Sequence, residues 1–588
     1  MKIFEANISS QVSSFLRNIL NEISSFEVAN QKLIDICGII SFFENDDDFQ
    51  ILINSINESK LKAISEPDRS EYGDFQTNIE FANRIAKLIL KKNIKPEILI
   101  EPTCGKGNFI LASLSYFTSI KKVYGIEIYK PYVWETKFNI LDFFLTNPNI
   151  SKPEIFITHQ NVFEFDFKSI SKLFSQEEIL IIGNLPWVTN SKLGMLNSSN
   201  LPKKTNIKNQ NGLDAITGKG NFDIAESITL TLLDNFQKCF GNLALLVKNI
   251  VIKNIVFDQK KKNYNINTIE KYCIDSKKEF NVSVDASLLF CQLNSSPDSK
   301  CNEYDFYNLE QKSEFGWVES KFVSNISHYS KTKEIDGLCQ FEWRQGIKHD
   351  CNSIMELERV NGHFINNLSE EIKIEEDLVY GFLKSSDLKN TIIKNTRKHT
   401  IVTQTKVGQE TAYIQHFYPH TYSYLKKNIE YFQNRKSSIY KGKPQFSIFG
   451  IGEYSFKPYK VAISGLYKTY HFTLVMPQNE KPVMLDDTCY FIGFDKVEYA
   501  VFTILLLNSN TAKEFLKSIT FSDSKRIFTK DILMRIDLLK LSQIIPVNDI
   551  EEQLNVINKK YELNVSLSEW GNFVIELNPQ KTEQLSIF

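Results

Sequence analysis

Residues 184–187, Asn-Leu-Pro-Trp, end the apolar run "EILIIGN" (178–184) and open a polar stretch. Two accounts fit those four residue types. Asn184 and Pro186 are turn formers, and Trp187 can pack beneath the turn they shape. Alternatively the Asn184 amide, the backbone of Leu185 and Pro186, and the Trp187 ring together grip a flat, nitrogen-bearing ring. Three other run ends bear on the choice. "EILIEP" (97–102) leads into Thr103-Cys104-Gly105-Lys106-Gly107, where the two glycines let the backbone turn tightly and pass close to a ligand. The third glycine of the dinucleotide fingerprint is missing, and Lys106 lacks the Ser or Thr that a P-loop requires. "KVYGIEI" (122–128) brings in Glu127, a carboxylate placed to accept hydrogen bonds from a ribose diol. "EIFITHQ" (154–160) leads to Asn161, whose amide can read an adenine edge. Singly, each has a plain account as a strand-to-helix turn, a solvated acid or a turn Asn. Four successive run ends with pocket-suited residues are far more specific, and together they favour the ring-gripping account.

The elements that must position these residues follow from periodicity. The four runs above and "LALLVKN" (243–249) read as buried strands, alternating with helical patterns between 66 and 295. That βαβ rhythm implies an α/β, doubly wound, mostly parallel sheet with ligands beyond the carboxyl ends of its strands. Residues 1–65 form a helical extension, with Ile8, Val12, Phe15, Leu16 and Ile19 at 3–4 spacing and no catalytic cluster. Residues 190–221 are rich in Asn, Ser, Lys and Gly and too long for an ordinary connection. The polar break "NSSPDSKCNE" (294–303) follows the last candidate strand, "ASLLFCQL", and marks the expected domain boundary. Residues 304–588 mix aromatic-rich strands with basic helices and lose the βαβ alternation, as an α+β domain would.

Composition sets the outer limits. The 588 residues suffice for two to four domains. They are 42% hydrophobic and 24% charged, with a formal net charge of -1, so any nucleic-acid surface must be a local basic patch. The nine cysteines form no CxxC pair or Cys/His cluster, which suits a reducing compartment without structural zinc. Neither a signal peptide nor a membrane span is recognisable, and a cytoplasmic protein is expected.

From about residue 70 to 295 the sequence resembles S-adenosylmethionine-dependent DNA amino-methyltransferases of the adenine-N6 type with the target-recognition domain last, as in restriction–modification systems. "YGDFQTN" (72–78) is similar to the segment over the methionine end of the cofactor, with Thr77 as a contact. "EPTCGKGNF" resembles the cofactor loop, which implies Glu101, Thr103, Gly105 and Gly107 as binding residues. Glu127 with Ile128 matches the ribose-binding acid, and Asn161 with Val162 stands where the family normally has Asp beside the cofactor adenine. "NLPW" matches the catalytic Asn-Pro-Pro-aromatic loop with Leu185 for the first proline. Phe280 matches the aromatic that stacks on the other face of a flipped base, although a core strand Phe fits its pattern equally. The resemblance implies S-adenosyl-L-methionine as cofactor, no metal, and transfer to the exocyclic N6 of adenine. Three alternatives stay open: cytosine N4, an RNA adenine, and a methyltransferase-like DNA-binding subunit that needs partners.

In the C-terminal half, "EWRQGIKHDCNSIMEL" (342–357) and "NRKSSIYKGKPQFSIFGIGEYSFKPYK" (434–460) interleave basic and aromatic residues. They nominate Arg344, Arg435, Lys436, Tyr440, Lys441 and Lys443 as double-stranded-DNA contacts, with Lys525 and Arg526 from "FSDSKRIFTKDILMRIDL" (521–538) and Lys203 and Lys204 from the long loop. A charged face over an aromatic core is the competing account. The length of this half favours DNA over ribosomal RNA. No endonuclease constellation is recognisable, so a restriction endonuclease would be a separately encoded partner. The terminal "QLSIF" (Gln584 to Phe588) resembles the short peptide that docks bacterial proteins on the replicative sliding clamp.

Overall fold

The five apolar runs are the central strands of one sheet. The structure, a computed structural model, describes residues 7–20, 23, 25–57, 75–174, 176–188, 223–523 and 526–578. The strands are β1 (Ile98–Glu101), β2 (Lys122–Glu127), β3 (Glu154–His159), β4 (Ile179–Asn184) and β5 (Gly241–Lys248). They pair in parallel in the spatial order β3-β2-β1-β4-β5. Helices Asn108–Tyr116, Lys130–Thr146, Phe167–Leu173 and Ile224–Phe236 lie between successive strands. Helices on both faces explain why β1 is buried along its whole length and needs no polar alternation. Because β1 has β2 on one side and β4 on the other, the chain leaves these strand ends in opposite directions. That switch point opens a crevice at their carboxyl ends.

Beyond β5 the sheet changes direction. β7 (Ala286–Leu293) lies antiparallel between β5 and β6 (Ile266–Cys273). β8 (Lys300–Asp305) then pairs in parallel with β6, and β9 (Gln311–Val318) turns back antiparallel on β8. With β10 (Lys321–Val323) the sheet has ten strands. The chain divides into two compact units at 1–322 and 323–588. The polar stretch 294–303 is thus not the domain boundary: it is a connection inside the first unit. Asn294 adopts a left-handed φ of 50°, and the Asn294, Ser295 and Asp298 N–H groups bond back to Gln237, Asn265 and Ile266 carbonyls.

The N-terminal helices share the core of this sheet. Helix Ser10–Leu20 buries Val12, Leu16 and Leu20, one face at four-residue spacing. Phe42 and Phe43 place their rings 6.1 and 5.9 Å from that of Trp134. The buried Lys137 joins the layers by donating to the Ser41 and Phe42 carbonyls at 3.0 and 2.9 Å, and burial lowers its ammonium pKa to about 8.

The second unit holds a five-stranded and a six-stranded sheet with mixed parallel and antiparallel pairing. One core gathers Met355, Leu357, Phe382, Ile401, Leu425 and Phe446, and another Ala462, Val475, Leu485 and Phe491. Among the described residues no helix is long and apolar enough to cross a membrane.

Candidate active site

The crevice at the switch point is a cleft open to solvent. Thr77, Glu101, Thr103, Gly105, Glu127, Ile128, Asn161, Val162, Asn184, Leu185 and Pro186 all line it. After β1 the backbone turns through Gly105 and Gly107 at φ values of 51° and 79°. A Cβ on Gly105 would stand 2.5 Å from Gln76 Oε1, and one on Gly107 would stand 2.7 Å from Thr136 Cγ2. Both positions therefore require glycine, but for different neighbours. Gly107 is not among the cleft residues; it faces Thr136 and starts the helix Asn108–Tyr116.

The Glu127 carboxylate at the end of β2 is fixed by two backbone donors, Gly105 N–H at 2.8 Å and Tyr129 N–H at 2.7 Å. Asn161 has two jobs: it lines the cleft, and its Oδ1 accepts from Phe163 N–H at 3.0 Å, which shapes the turn after β3.

Glu101 is only 2% exposed, and its Oε2 has no hydrogen-bond partner among the described residues. Burial, reinforced by the neighbouring Glu127 charge, holds its carboxyl well above the usual carboxylate range despite a backbone hydrogen bond that opposes the shift. Thr77 Oγ1, also buried in the cleft wall, is likewise unpartnered among the described residues. A buried carboxylate and a hydroxyl left unsatisfied in one cleft call for a ligand with a cationic or N–H donor end.

The tetrad begins at the last residue of β4. Asn184 donates its Nδ2 to the Phe75 carbonyl at 2.6 Å, and Thr103 Oγ1 donates to the Asn184 carbonyl at 3.1 Å. The side-chain Oδ1 of Asn184 is buried with no partner among the described residues. Leu185 N–H donates to Leu246 O at 3.2 Å, which ties the loop to β5. Trp187 and Phe280 are not brought to the cleft wall. Instead the Trp187 ring, 5% exposed, lies 5.3 Å from Phe75 at 34° and 4.9 Å from Phe280 edge-to-face. Phe75 is one of the cleft residues that motif reading missed; its only signal was an aromatic two positions before Thr77. Ile224 and Ile228 were missed too, because residues 189–222 separate them from the tetrad. The Ile224 N–H bond to Val188 O at 3.0 Å brings them back to the cleft.

In the second unit several nominated DNA contacts have other work. Arg435 donates to the carbonyls of Phe432 at 3.0 Å, Ser447 at 2.7 Å, Gln445 at 3.3 Å and His349 at 3.4 Å, and lies 3.6 Å from the Tyr440 ring centroid. Tyr440 is buried and donates to Lys348 O at 3.2 Å. In this structure the two side chains form a clasp within the second unit. Arg435→Ala is accordingly expected to lower stability by about 2 kcal/mol in denaturant melts, since several buried carbonyls lose a charged donor; unchanged stability would return the guanidinium to the DNA surface. Arg344 pairs with Glu342 and sits 4.8 Å over Tyr454, while Arg526 donates to Asp487 O at 3.2 Å. Lys436, Lys441 and Lys443 are exposed, with no ion-pair partner among the described residues. Lys203, Lys204, Lys525 and the 584–588 tail lie outside the described residues.

No family model matches the chain. Over 496 residues, 84% of this chain, it is 40% identical to the Type II methyltransferase M.NspV of Nostoc sp., whose whole length is covered. Among solved structures, the Type IIL restriction–modification enzyme MmeI in complex with DNA aligns with a TM-score of 0.52 at 12% identity, over 84% of this chain and 73% of that one. At that identity the likeness shows the fold, and the sheet described above is its Rossmann-like methyltransferase core. The chain belongs to the Type II DNA methyltransferases of restriction–modification systems, enzymes that take their methyl group from S-adenosylmethionine.

Proposed function

We propose that this chain methylates the exocyclic N6 amino group of adenine in duplex DNA, at a specific sequence, with the target base turned out of the helix. The observation that supports this most is Asn184: its Nδ2 is anchored on the Phe75 carbonyl, so its Oδ1, unpartnered among the described residues, is oriented and has an acceptor's job left to do. An aromatic amine is a poor nucleophile because its lone pair is delocalised into the ring. Acceptors on its two hydrogens, Asn184 Oδ1 and the Leu185 carbonyl, favour a pyramidal nitrogen whose lone pair is released for attack. No general base of unusual strength is required, because the proton is lost from an already cationic product. Positioning and electrostatic stabilisation then supply most of the acceleration.

The cleft fits S-adenosylmethionine by its donor set. Glu101 and Thr77 would hold the amino-acid end, Glu127 the ribose diol, and Asn161 with Val162 the adenine. When bound, the cofactor supplies the sulfonium methyl. A base inside the duplex cannot reach the buried Oδ1 of Asn184, so extrusion is required, at a cost of a few kcal/mol. In the second unit Lys436, Lys441 and Lys443 are the exposed cations best suited to backbone phosphates. A separately encoded endonuclease, and clamp docking through Gln584–Phe588, complete the proposal for partners. Nucleoside analysis of DNA from cells expressing the chain tests the target base: N6-methyladenine is expected, and N4-methylcytosine in its place would overturn the reading.

A further inference from the structure

If Trp187 is the surface on which the target base stacks, two phenylalanine rings already crowd it. Phe75 lies beside the indole with ring centres 5.3 Å apart and planes 34° from parallel, while Phe280 meets it edge-to-face at 4.9 Å and 69°. A planar base sandwiched between two rings needs them about 7 Å apart, so one ring must move.

The surroundings of the two phenylalanines decide which. Phe280 ends the helix Ser276–Phe280, capped by Asp275, which accepts from the Lys277 and Lys278 N–H groups at 3.1 and 3.0 Å. The preceding Glu279, with a side chain 3% exposed, is gripped by Arg84 at 2.6 Å and by Tyr307 Oη at 2.9 Å. Phe280 also meets Phe81 edge-to-face at 5.7 Å. Among the described residues Phe75 has no such bracing. It is half-buried, sits outside any helix or strand, and already lines the cleft. Among the described residues its hydrogen-bond tie to the site is the main-chain carbonyl that accepts from Asn184, and a side-chain rotation leaves that bond in place.

We propose that Phe75 is the placeholder of the base slot: in the DNA-free protein its ring occupies the Trp187 face that the target base takes, and base entry turns that ring aside while its carbonyl keeps Asn184 aligned. This rests on the reading of the tetrad as the base-binding loop. A placeholder keeps the aromatic pocket dry and ordered between turnovers. It also lowers apparent affinity by the fraction of molecules in which the slot is closed.

The test uses the full chain and a duplex containing its methylation site, once that site is mapped, beside the same duplex with an abasic target position. Phe75→Ala is expected to tighten binding of the intact site by roughly three- to tenfold, the worth of one aromatic pair. It should leave the abasic duplex unchanged. Phe75→Trp, which fills the slot more fully, is expected to weaken the intact site. Phe75→Leu should fall between wild type and Phe75→Ala, and it keeps the question answerable if the alanine variant fails to fold. Weaker binding of the intact site by both Phe75→Ala and Phe75→Leu would make Phe75 a wall that stacks on the base and overturn the proposal. Equal effects on intact and abasic duplexes would overturn it as well. If wild type methylates DNA but discriminates no better than its variants, only the placeholder fails; if Asn184→Ala still methylates, the underlying reading fails with it.

Discussion

Asn184→Ala is expected to reduce single-turnover methyl transfer by roughly 10²- to 10³-fold or more, the cost of removing one preorganised hydrogen-bonding group from a reacting centre. Cofactor affinity measured by calorimetry should stay near the wild-type value. The asymmetry follows from where the side chain points. Its Nδ2 meets the Phe75 carbonyl and its Oδ1 is unpartnered among the described residues, whereas Glu101 and Glu127, on neighbouring strands, face the proposed cofactor positions. Asn184→Asp is expected to be almost as impaired. It replaces the donor to Phe75 O with a second oxygen, so a carboxylate and a carbonyl repel across the present 2.6 Å contact. Wild-type turnover in either variant would remove the tetrad from the chemistry.

The second large effect is expected at Glu101, with opposite signs for binding and stability. In the folded chain its carboxyl is held well above the ordinary range, chiefly by burial. A carboxyl raised on folding favours the protonated state. Its stabilising contribution is complete below the unfolded value, near the usual carboxylate range, and is lost as pH rises toward the folded value. Cofactor-free wild type is therefore expected to lose stability across that window. Glu101→Gln, which cannot ionise, should lack that loss and melt higher above it. The ammonium of the cofactor reverses the preference, because it binds the ionised carboxylate. Wild-type cofactor affinity should thus climb with pH through the folded pKa of Glu101. Glu101→Gln should bind roughly ten- to a hundredfold more weakly, the worth of one charge-assisted hydrogen bond. Equal affinities would take Glu101 out of the binding site.

The residues that sequence reading placed well are those whose position is dictated locally. A run of apolar residues that ends in a polar one, next to two glycines or a proline, leaves little choice about where the strand stops. Glu127, Gly105 and Asn184 therefore came out at the mouth of the cleft. Long-range pairing leaves no such mark. The polar stretch 294–303 reads as a break between domains because it follows the last apolar run, yet β8 and β9 carry the sheet on beyond it. Cys301 and Phe315 are buried in those two strands, but most of their other residues are not. Trp187 shows a different limit. Its type announces stacking, but nothing local says whether the partner is a ligand or, as in this fold, Phe75 and Phe280. Arg435 and Tyr440 show a third. Interleaved basic and aromatic residues describe a DNA surface and a cation–π clasp equally well, and only the surrounding carbonyls distinguish them. Gly107 shows a fourth: glycine signals close approach, and the neighbour that a Cβ there would meet is Thr136.

The measurement that tests the central claim most directly is methyl transfer by the purified chain from S-adenosylmethionine labelled in its methyl group to mixed-sequence duplex DNA, followed by digestion to nucleosides and chromatography. Label that co-migrates with N6-methyladenine, and is lost with Asn184→Ala, is the predicted result. Label in another nucleoside would contradict the adenine assignment, and no transfer to DNA despite saturable cofactor binding would contradict the account of the site as a whole.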